Sequence, residues 1–260
     1  MPPASPPCGN LLLDALRAED RALLLPHLEP VECRRGEVLF EVGQDVEMIS
    51  FPCGATVTTL VVTMRDGRSA ETATIGREGA IGGVVSQGYL PAFSRAVVQI
   101  GGPVLRLEAA RLQAVKRTSP LMRNLFTRYS DCLLAQVLQS VACNALHPIE
   151  QRCARWLLTL QDRLDTDTLP ITQEMLAERL GVQRTYLTRV LKMLQQQGLI
   201  AVGRGRITIR DRADMEKASC ECHAVVKRHF EEVLGAVYSP SGALVAVSPA
   251  SEEPAVRHVG

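Results

Sequence analysis

The chain has 260 residues, of which 46% are hydrophobic and 22% charged; it is long enough for about two domains and too apolar for a disordered chain. Lys and Arg number 29 against 28 Asp and Glu, a formal net charge of +1 that by itself gives no sign of a nucleic-acid partner. No stretch approaches ~18 consecutive apolar residues, so no membrane-spanning helix is expected. The first ten residues place no basic group ahead of an apolar run, which reads as no secretory signal and makes the cytoplasm the expected compartment. Eight scattered cysteines are not the density of a small disulfide scaffold. Most are expected to be reduced and buried as small apolar groups.

Residues 1–10 are Pro-rich. Leu11 to Leu25 predicts a helix, ended by Pro26 and Pro30. From Val31 to Leu107 short runs rich in Val, Ile, Thr and Phe alternate with Gly turns. The runs Val38–Phe40, Met48–Phe51, Thr56–Met64, Ala70–Ile75, Ala96–Ile100 and Val104–Leu107 predict strands of a compact β-barrel or roll. Asp66-Gly67 suits a hairpin turn, since both residues tolerate positive φ.

Ser119-Pro120 is a helix start signal, Ser as N-cap and Pro at the first position. The run to Cys143 spans about 24 residues, or ~36 Å. Met122, Phe126, Tyr129, Leu133 and Val137 recur at three- and four-residue steps. Two readings fit that stripe equally: a dimerisation face, or packing of the helix on its own β-domain. His147-Pro148 opens a further helix with Trp156, Leu157, Leu160 and Leu164 as its core face, and residues 165–170 read as a polar loop.

Residues 171–212 are the most informative. Thr172 is an N-cap candidate; Leu176, Ala177 and Leu180 form one short helix face, and Gly181 supplies a turn. A second helix begins near Gln183, turns Leu187, Val190, Leu191 and Leu194 inward, and ends at Gly198. Leu199–Val202 and Arg206–Arg210 then read as strands around Gly203-Arg204-Gly205, giving a helix-turn-helix followed by a β-wing. Arg184, Thr185, Thr188 and Arg189 lie at the end of the second helix that would meet base edges. An Arg fork bonds guanine O6 and N7 together. Lys192, one turn on, reaches toward a phosphate, and Arg204 and Arg206 sit at the wing tip, where they would touch the flanking backbone. Within 171–212 eight Lys/Arg oppose three acidic residues, leaving +5; elsewhere 21 basic residues oppose 25 acidic ones, leaving −4. The neutral total therefore hides a basic module on a mildly acidic body. Double-stranded DNA is the expected partner.

The order I-T-x-E-x-L-A-x-x-L-G-V-x-R-T-x-x-x-R-x-L-K-x-L-x-x-x-G-L-I over 171–200 resembles the DNA-binding pattern of the Crp/Fnr (catabolite activator) superfamily. The resemblance extends over residues 11–235. It implies an α+β chain with an N-terminal cyclic-nucleotide-binding-like β-roll sensor domain (1–118), a dimerisation helix (119–145), a C-terminal winged helix-turn-helix (146–235) and a tail (236–260). It implies a transcription regulator acting as a homodimer on a palindromic operator, with half-sites about 34 Å apart. By position Arg184 and Arg189 match the base-reading arginines, and Thr172, Gln183 and Lys192 match positions near phosphates. Thr185 stands where many members carry Glu, which departs from the usual operator preference. In members that bind cyclic AMP a Glu holds the ribose and an Arg the cyclic phosphate. The Glu position falls near Gly83, beside Gly82, and the Arg position falls on Ser94, with Arg95 one residue late. A strand residue shifted by one points to the opposite face. The expected regulator is therefore not dependent on cyclic AMP, and its effector is an unidentified small molecule; RNA polymerase is a further candidate partner.

Cys8, Cys33 and Cys53 lack the compact spacing of an iron–sulfur ligand run. Cys132 and Cys143, eleven residues apart on the long helix, share a face and read as buried packing ahead of a thiol switch across a dimer. Residues 214–234 predict one final helix, in which Cys220 and Cys222 would project ~200° apart and could not easily share an ion, although Cys220 and His223 would share a face. No metal or other cofactor is expected. The alternative function is a metal- or redox-responsive ligand-binding protein using Cys220, Cys222 and His223. No nucleophile–base pair, HExxH motif or Walker Lys is present, so no enzyme is expected. The tail from Ser239 is expected to be loosely attached.

Overall fold

In the computed structural model the described residues are 9–82 and 90–249. Asn10 caps a single turn, α1 (Leu11–Asp14), by accepting from Leu13 N at 3.0 Å, while its amide donates to Pro52 O and Gly79 O of the β-domain. The helix expected over 11–25 is broken after this turn, and α2 (Ala18–Leu24) follows beyond an extended Arg17. The cause is the unbroken apolar run: Leu11, Leu12, Leu13, Ala15 and Leu16 are all buried, which a straight helix with a single buried face cannot achieve.

The β-domain consists of β1 (Glu29–Cys33), β2 (Val38–Phe40), β3 (Met48–Pro52), β4 (Val57–Thr63), β5 (Ser69–Ile75), β6 (Arg95–Ile100) and β7 (Gly102–Glu108). They form two antiparallel sheets, ordered β1-β7-β3 and β2-β6-β4-β5. The Asp66-Gly67 turn closes the β4–β5 hairpin as expected, with Gly67 at φ +82°. Strand β1, with Pro30 inside it, was not foreseen; as a sheet edge it tolerates the missing N–H.

Helices α3 (Ala109–Thr118) and α4 (Pro120–Leu146) follow. Ser119 caps α4 by accepting from Met122 N at 3.1 Å. Of the two readings of the α4 stripe, packing on its own β-domain describes Met122, Phe126 and Tyr129. They are fully buried in the core shared by α1, α3, β3 and β7 and so cannot serve as a dimer face. Tyr129 packs on Gly79, where a Cβ would collide with its ring, and donates its hydroxyl to Ala80 O at 2.9 Å. Leu133 and Val137 are only partly buried, and Leu133 packs against Ile75, Ile81 and Ala96. The large apolar side chains that α4 leaves exposed are Leu134 (55%), Leu138 (61%) and Val141 (64%), with Leu146 at its end.

Helix α5 (Ile149–Leu164) starts the second core. Residues 165–170 are not merely a loop: β8 (Thr168–Leu169) pairs with β10 (Arg206–Ile209), which pairs with β9 (Ile200–Gly203), so the wing is three-stranded. Between β8 and β9 lie α6 (Gln173–Leu180) and α7 (Arg184–Gln196). The helix expected over 214–234 is divided into α8 (Arg212–Ala218), a turn at Ser219–Glu221, α9 (Cys222–His229) and one π-turn to Leu234. The expected loose tail is instead a hairpin of β11 (Ala236–Tyr238) and β12 (Leu244–Val247). It packs Ala236, Leu244 and Val247 into the β-domain core, and Arg77 donates to Leu244 O at 2.6 Å. Residues 250–260 lie outside the described residues.

Candidate nucleic-acid interface

The turn between α6 and α7 is built by Gly181, at φ +67°, a left-handed conformation that a side chain would strain. Thr172 caps α6 by accepting from Met175 N at 3.2 Å, which leaves its O–H proton for an outside acceptor. Leu176, Ala177 and Leu180 of α6 meet Leu187, Val190, Leu191 and Leu194 of α7 in one buried cluster. This fixes the outward face of α7. Arg184, Thr185, Thr188, Arg189 and Lys192 are exposed on it, and Gln183, also exposed, occupies the N-cap without a side-chain bond to the helix. Uncapped N–H groups at that end favour an anion. Arg204 and Arg206 are exposed on the wing. A cleft lined by Thr172, Gln173, Arg184, Gly203, Gly205 and Arg206 runs between the N-terminus of α7 and the wing.

Among the described residues, Arg184, Thr185, Arg189, Lys192, Arg204 and Arg206 make no side-chain hydrogen bond or ion pair. Thr188 differs: its hydroxyl lies between Arg184 O (2.9 Å) and Gln173 Oε1 (3.1 Å). The structure also divides the basic count of 171–212. Arg179 faces the β-domain, donating to Gln99 Oε1 at 2.8 Å with Glu71 3.8 Å away. Arg212 is held by Asp162 (2.7 Å), Glu216 (2.9 Å) and Gln161 (2.8 Å). Those two cations serve internal contacts.

Several contacts that no sequence pattern announced join this module and α4 to the β-domain. Arg163 of α5 donates to buried Glu78 at 2.8 Å and to Thr74 O at 3.0 Å. Trp156 donates to Glu71 at 3.0 Å, and Gln136 of α4 reaches Thr74 O at 3.1 Å. Burial pushes the Glu71 carboxyl above its ordinary value, against the opposing pull of its bonds from Thr74 and Trp156 and the charge of Arg179. Asp162 goes the other way. Burial opposes its charge, but the bonds and charges of His223 and Arg212 outweigh that and hold it below the ordinary range.

In the β-domain a cavity of about 330 Å³ is lined by Phe40, Val46, Leu60, Ile75, Ala80, Ile81, Gly82, Leu90, Phe93 and Leu133, with Ser94 the one hydroxyl among its described lining residues. No charged side chain is among its described lining residues. Gly83 lies outside the described residues. Arg95 does not line this cavity; it pairs with Glu41 at 3.0 Å and lines a separate cleft with Arg68, Glu71 and Arg179.

The cysteine geometry expected from one continuous helix is also corrected. The turn at Ser219–Glu221 lies between α8 and α9, so Cys220 and Cys222 converge on each other and on Cys143 and His147 at the end of α4. His223 is elsewhere, 2.7 Å from Asp162. Cys143-x-x-x-His147 was the missed signal, since residues four apart share a helix face. Cys132 and Cys143 are buried, as expected, and Cys53 is disulfide-bonded, which was not.

Residues 151–218 match the family model of the Crp-like helix-turn-helix domain. Among solved structures the chain is similar to FixK2 from Bradyrhizobium japonicum, at 16% identity and a TM-score of 0.66, covering 74% of this chain and 98% of that one. It is similar to CLP of Xanthomonas campestris, described as a c-di-GMP responsive global regulator, at 17% identity and a TM-score of 0.62, covering 75% and 100%. A Crp/Fnr-family transcriptional regulator from Thermus thermophilus aligns at 18% identity and a TM-score of 0.58, covering 74% and 98%. Compared by sequence with curated proteins, the chain matches none.

Proposed function

Because the chain carries a Crp-like helix-turn-helix domain on the fold of the Crp/Fnr regulators, we propose that it is a homodimeric, sequence-specific transcription regulator whose DNA binding does not depend on cyclic AMP. The observation that carries this is the face formed by α7 and the wing, where Arg184, Arg189, Lys192, Arg204 and Arg206 project with no internal partner. An exposed cation set without a structural duty fits phosphate and base contacts. In this reading Arg184, Thr185, Thr188 and Arg189 read bases, Thr188 after exchanging a helix bond for a base. Thr172, Gln183, Lys192, Arg204 and Arg206 hold the backbone.

The exposed Leu134, Leu138 and Val141 support α4 as the dimer seam, since steps of four and three residues are coiled-coil spacing. The units of the reading are the β-roll sensor (1–118), the α4 connection (119–145), the DNA-binding module (146–235) and a C-terminal segment (236–260). The apolar cavity supports an effector that is small and mostly uncharged, because an anionic cyclic phosphate buried there would lack a counter-charge. The role is one of binding, without a catalytic step, and RNA polymerase is the partner through which it would act at promoters. Selection of bound sequences from a random duplex pool, followed by gel shift, tests it. A palindromic site should emerge, and Arg184→Ala and Arg189→Ala should abolish its selective retention. Retention of specific binding by both variants overturns the site, and absence of any enriched sequence overturns the function.

A further inference from the structure

At the joint between α4 and α5, four metal-ligating side chains meet that the DNA-binding role does not use. Cys143 and His147 lie one turn apart at the end of α4, Cys220 comes from the turn between α8 and α9, and Cys222 is the first residue of α9. Their ligand atoms all fall within 4.8 Å of one another. Cys143 Sγ is 3.5 Å from Cys220 Sγ, and Cys222 Sγ is 3.4 Å from His147 Nδ1. A tetrahedral zinc ion with ordinary Zn–S and Zn–N bonds sets sulfur–sulfur separations of about 3.8 Å and sulfur–nitrogen separations of about 3.6 Å. The two closest pairs are thus within a few tenths of an ångström of coordination-sphere spacing, and the remaining separations, all under 4.8 Å, need shifts of no more than about 1 Å. Hydrophobic packing alone explains buried thiols; it does not explain an imidazole nitrogen turned in among them.

The surroundings are those of a metal site. The other imidazole nitrogen, Nε2, lies 3.3 Å from the Glu221 carboxylate, the partner that orients a ligating histidine. Gln139 donates to Cys222 Sγ at 3.1 Å, a bond that steadies a thiolate. Arg152 of α5 lies within electrostatic range of Cys143 and Cys220 and bonds Leu180 O at the α6–α7 turn. Three thiolates and a neutral imidazole around a dication carry one net negative charge, which that guanidinium offsets.

From this geometry we infer a closed, four-ligand site for a thiolate-preferring divalent ion of the zinc class, formed by Cys143, His147, Cys220 and Cys222. All four positions come from the protein, so the site is structural, with no open position for a reacting molecule. The ion would staple the end of α4 to the segment leading into α9, fixing the joint across which the sensor and DNA-binding modules meet. Binding releases the thiol protons to solvent and involves no change of oxidation state.

The test uses the full chain purified under reducing conditions without chelator. Elemental analysis should find about one zinc per chain. Exchange with cobalt(II) should give the intense visible bands of tetrahedral coordination together with a thiolate charge-transfer band. Cys220→Ser with Cys222→Ser should abolish both signals, whereas Cys153→Ser, a buried cysteine outside the group, should leave them intact. Because the buried substitutions can also disturb folding, exposed Glu221→Ala serves as the second variant. It should keep the fold by circular dichroism and weaken metal affinity about 10- to 100-fold. Three results overturn the inference: reduced protein that takes up no zinc or cobalt, metal retained by the double cysteine variant, or a cobalt spectrum of octahedral type.

Discussion

Salt dependence tests the division of the basic residues most directly. If Arg184 and Arg189 engage bases, Lys192, Arg204 and Arg206 supply three phosphate contacts per protomer and six per dimer. At about 0.9 per neutralised phosphate, the slope of log Kobs against log salt should be about −5, a loss of about a thousandfold in affinity between roughly 50 and 200 mM salt. Each of Lys192→Ala, Arg204→Ala and Arg206→Ala removes two contacts from the dimer and should flatten the slope by about 1.8. Arg179→Ala is the decisive comparison. It belongs to the same basic segment, but its guanidinium is turned to Gln99 and Glu71, so the slope should not change. Fluorescence anisotropy of a labelled operator duplex, titrated across salt concentrations, reads all of these. The reasoning fails if Arg179→Ala flattens the slope as much as Lys192→Ala, or if the unsubstituted protein shows a slope shallower than about −2.

Four other substitutions or ligands probe the remaining claims. Arg163→Met strands the buried Glu78 carboxylate and should destabilise by about 3–5 kcal/mol, lowering Tm by about 6–20 °C in calorimetry. Adding Glu78→Gln should recover part of the loss, and an unchanged Tm in the single variant would show that the pair does not hold the modules together. Leu138→Glu places a charge on the exposed α4 seam and should yield monomers by light scattering with weak operator binding; a persistent dimer would move the interface elsewhere. Glu71 has a raised folded-state value, so its contribution is present below the ordinary 4.5 and lost as pH rises through the raised value. Glu71→Gln should flatten that decline in a plot of Tm against pH, and an unaltered plot refutes the assignment to Glu71. Cyclic AMP should give no binding heat at about micromolar concentration, the range in which specific ligands saturate; a saturable heat would restore the cyclic-nucleotide reading.

The helix-turn-helix was legible because its information is local. Thr172, Gly181 and Gly198 each mark an end or turn by a backbone requirement, and Leu187, Val190, Leu191 and Leu194 follow one helical period. The β-strands were legible for a similar reason, as short apolar runs between Gly turns. What escaped was set by partners distant in sequence. Strand β8 is two residues long and exists because β10 lies beside it. The 236–247 hairpin is fixed by Arg77 and by the β-domain core, over a separation of more than 100 residues that no local period can report.

Helix α4 shows most clearly why one hydrophobic period could not name a dimer face. At about 100° per residue, Met122, Phe126, Tyr129, Leu133 and Val137 fall within one narrow sector, and that sector is turned to the β-domain. Leu134, Leu138 and Val141 fall in a second sector, centred about 110° away, that no part of the described chain covers. Cys132, Gln139 and Cys143 belong to a third, which meets α9 and the turn before it. A helix that serves three surfaces spreads its apolar residues around most of its circumference, so the strongest stripe marks whichever neighbour demands the densest packing. Here that neighbour is the helix's own domain. The weaker, exposed stripe is the one free to meet a second copy. The first sector lines the apolar cavity of the β-domain through Leu133 and the third carries Cys143, so one helix joins the cavity, the exposed stripe and the joint to the helix-turn-helix module.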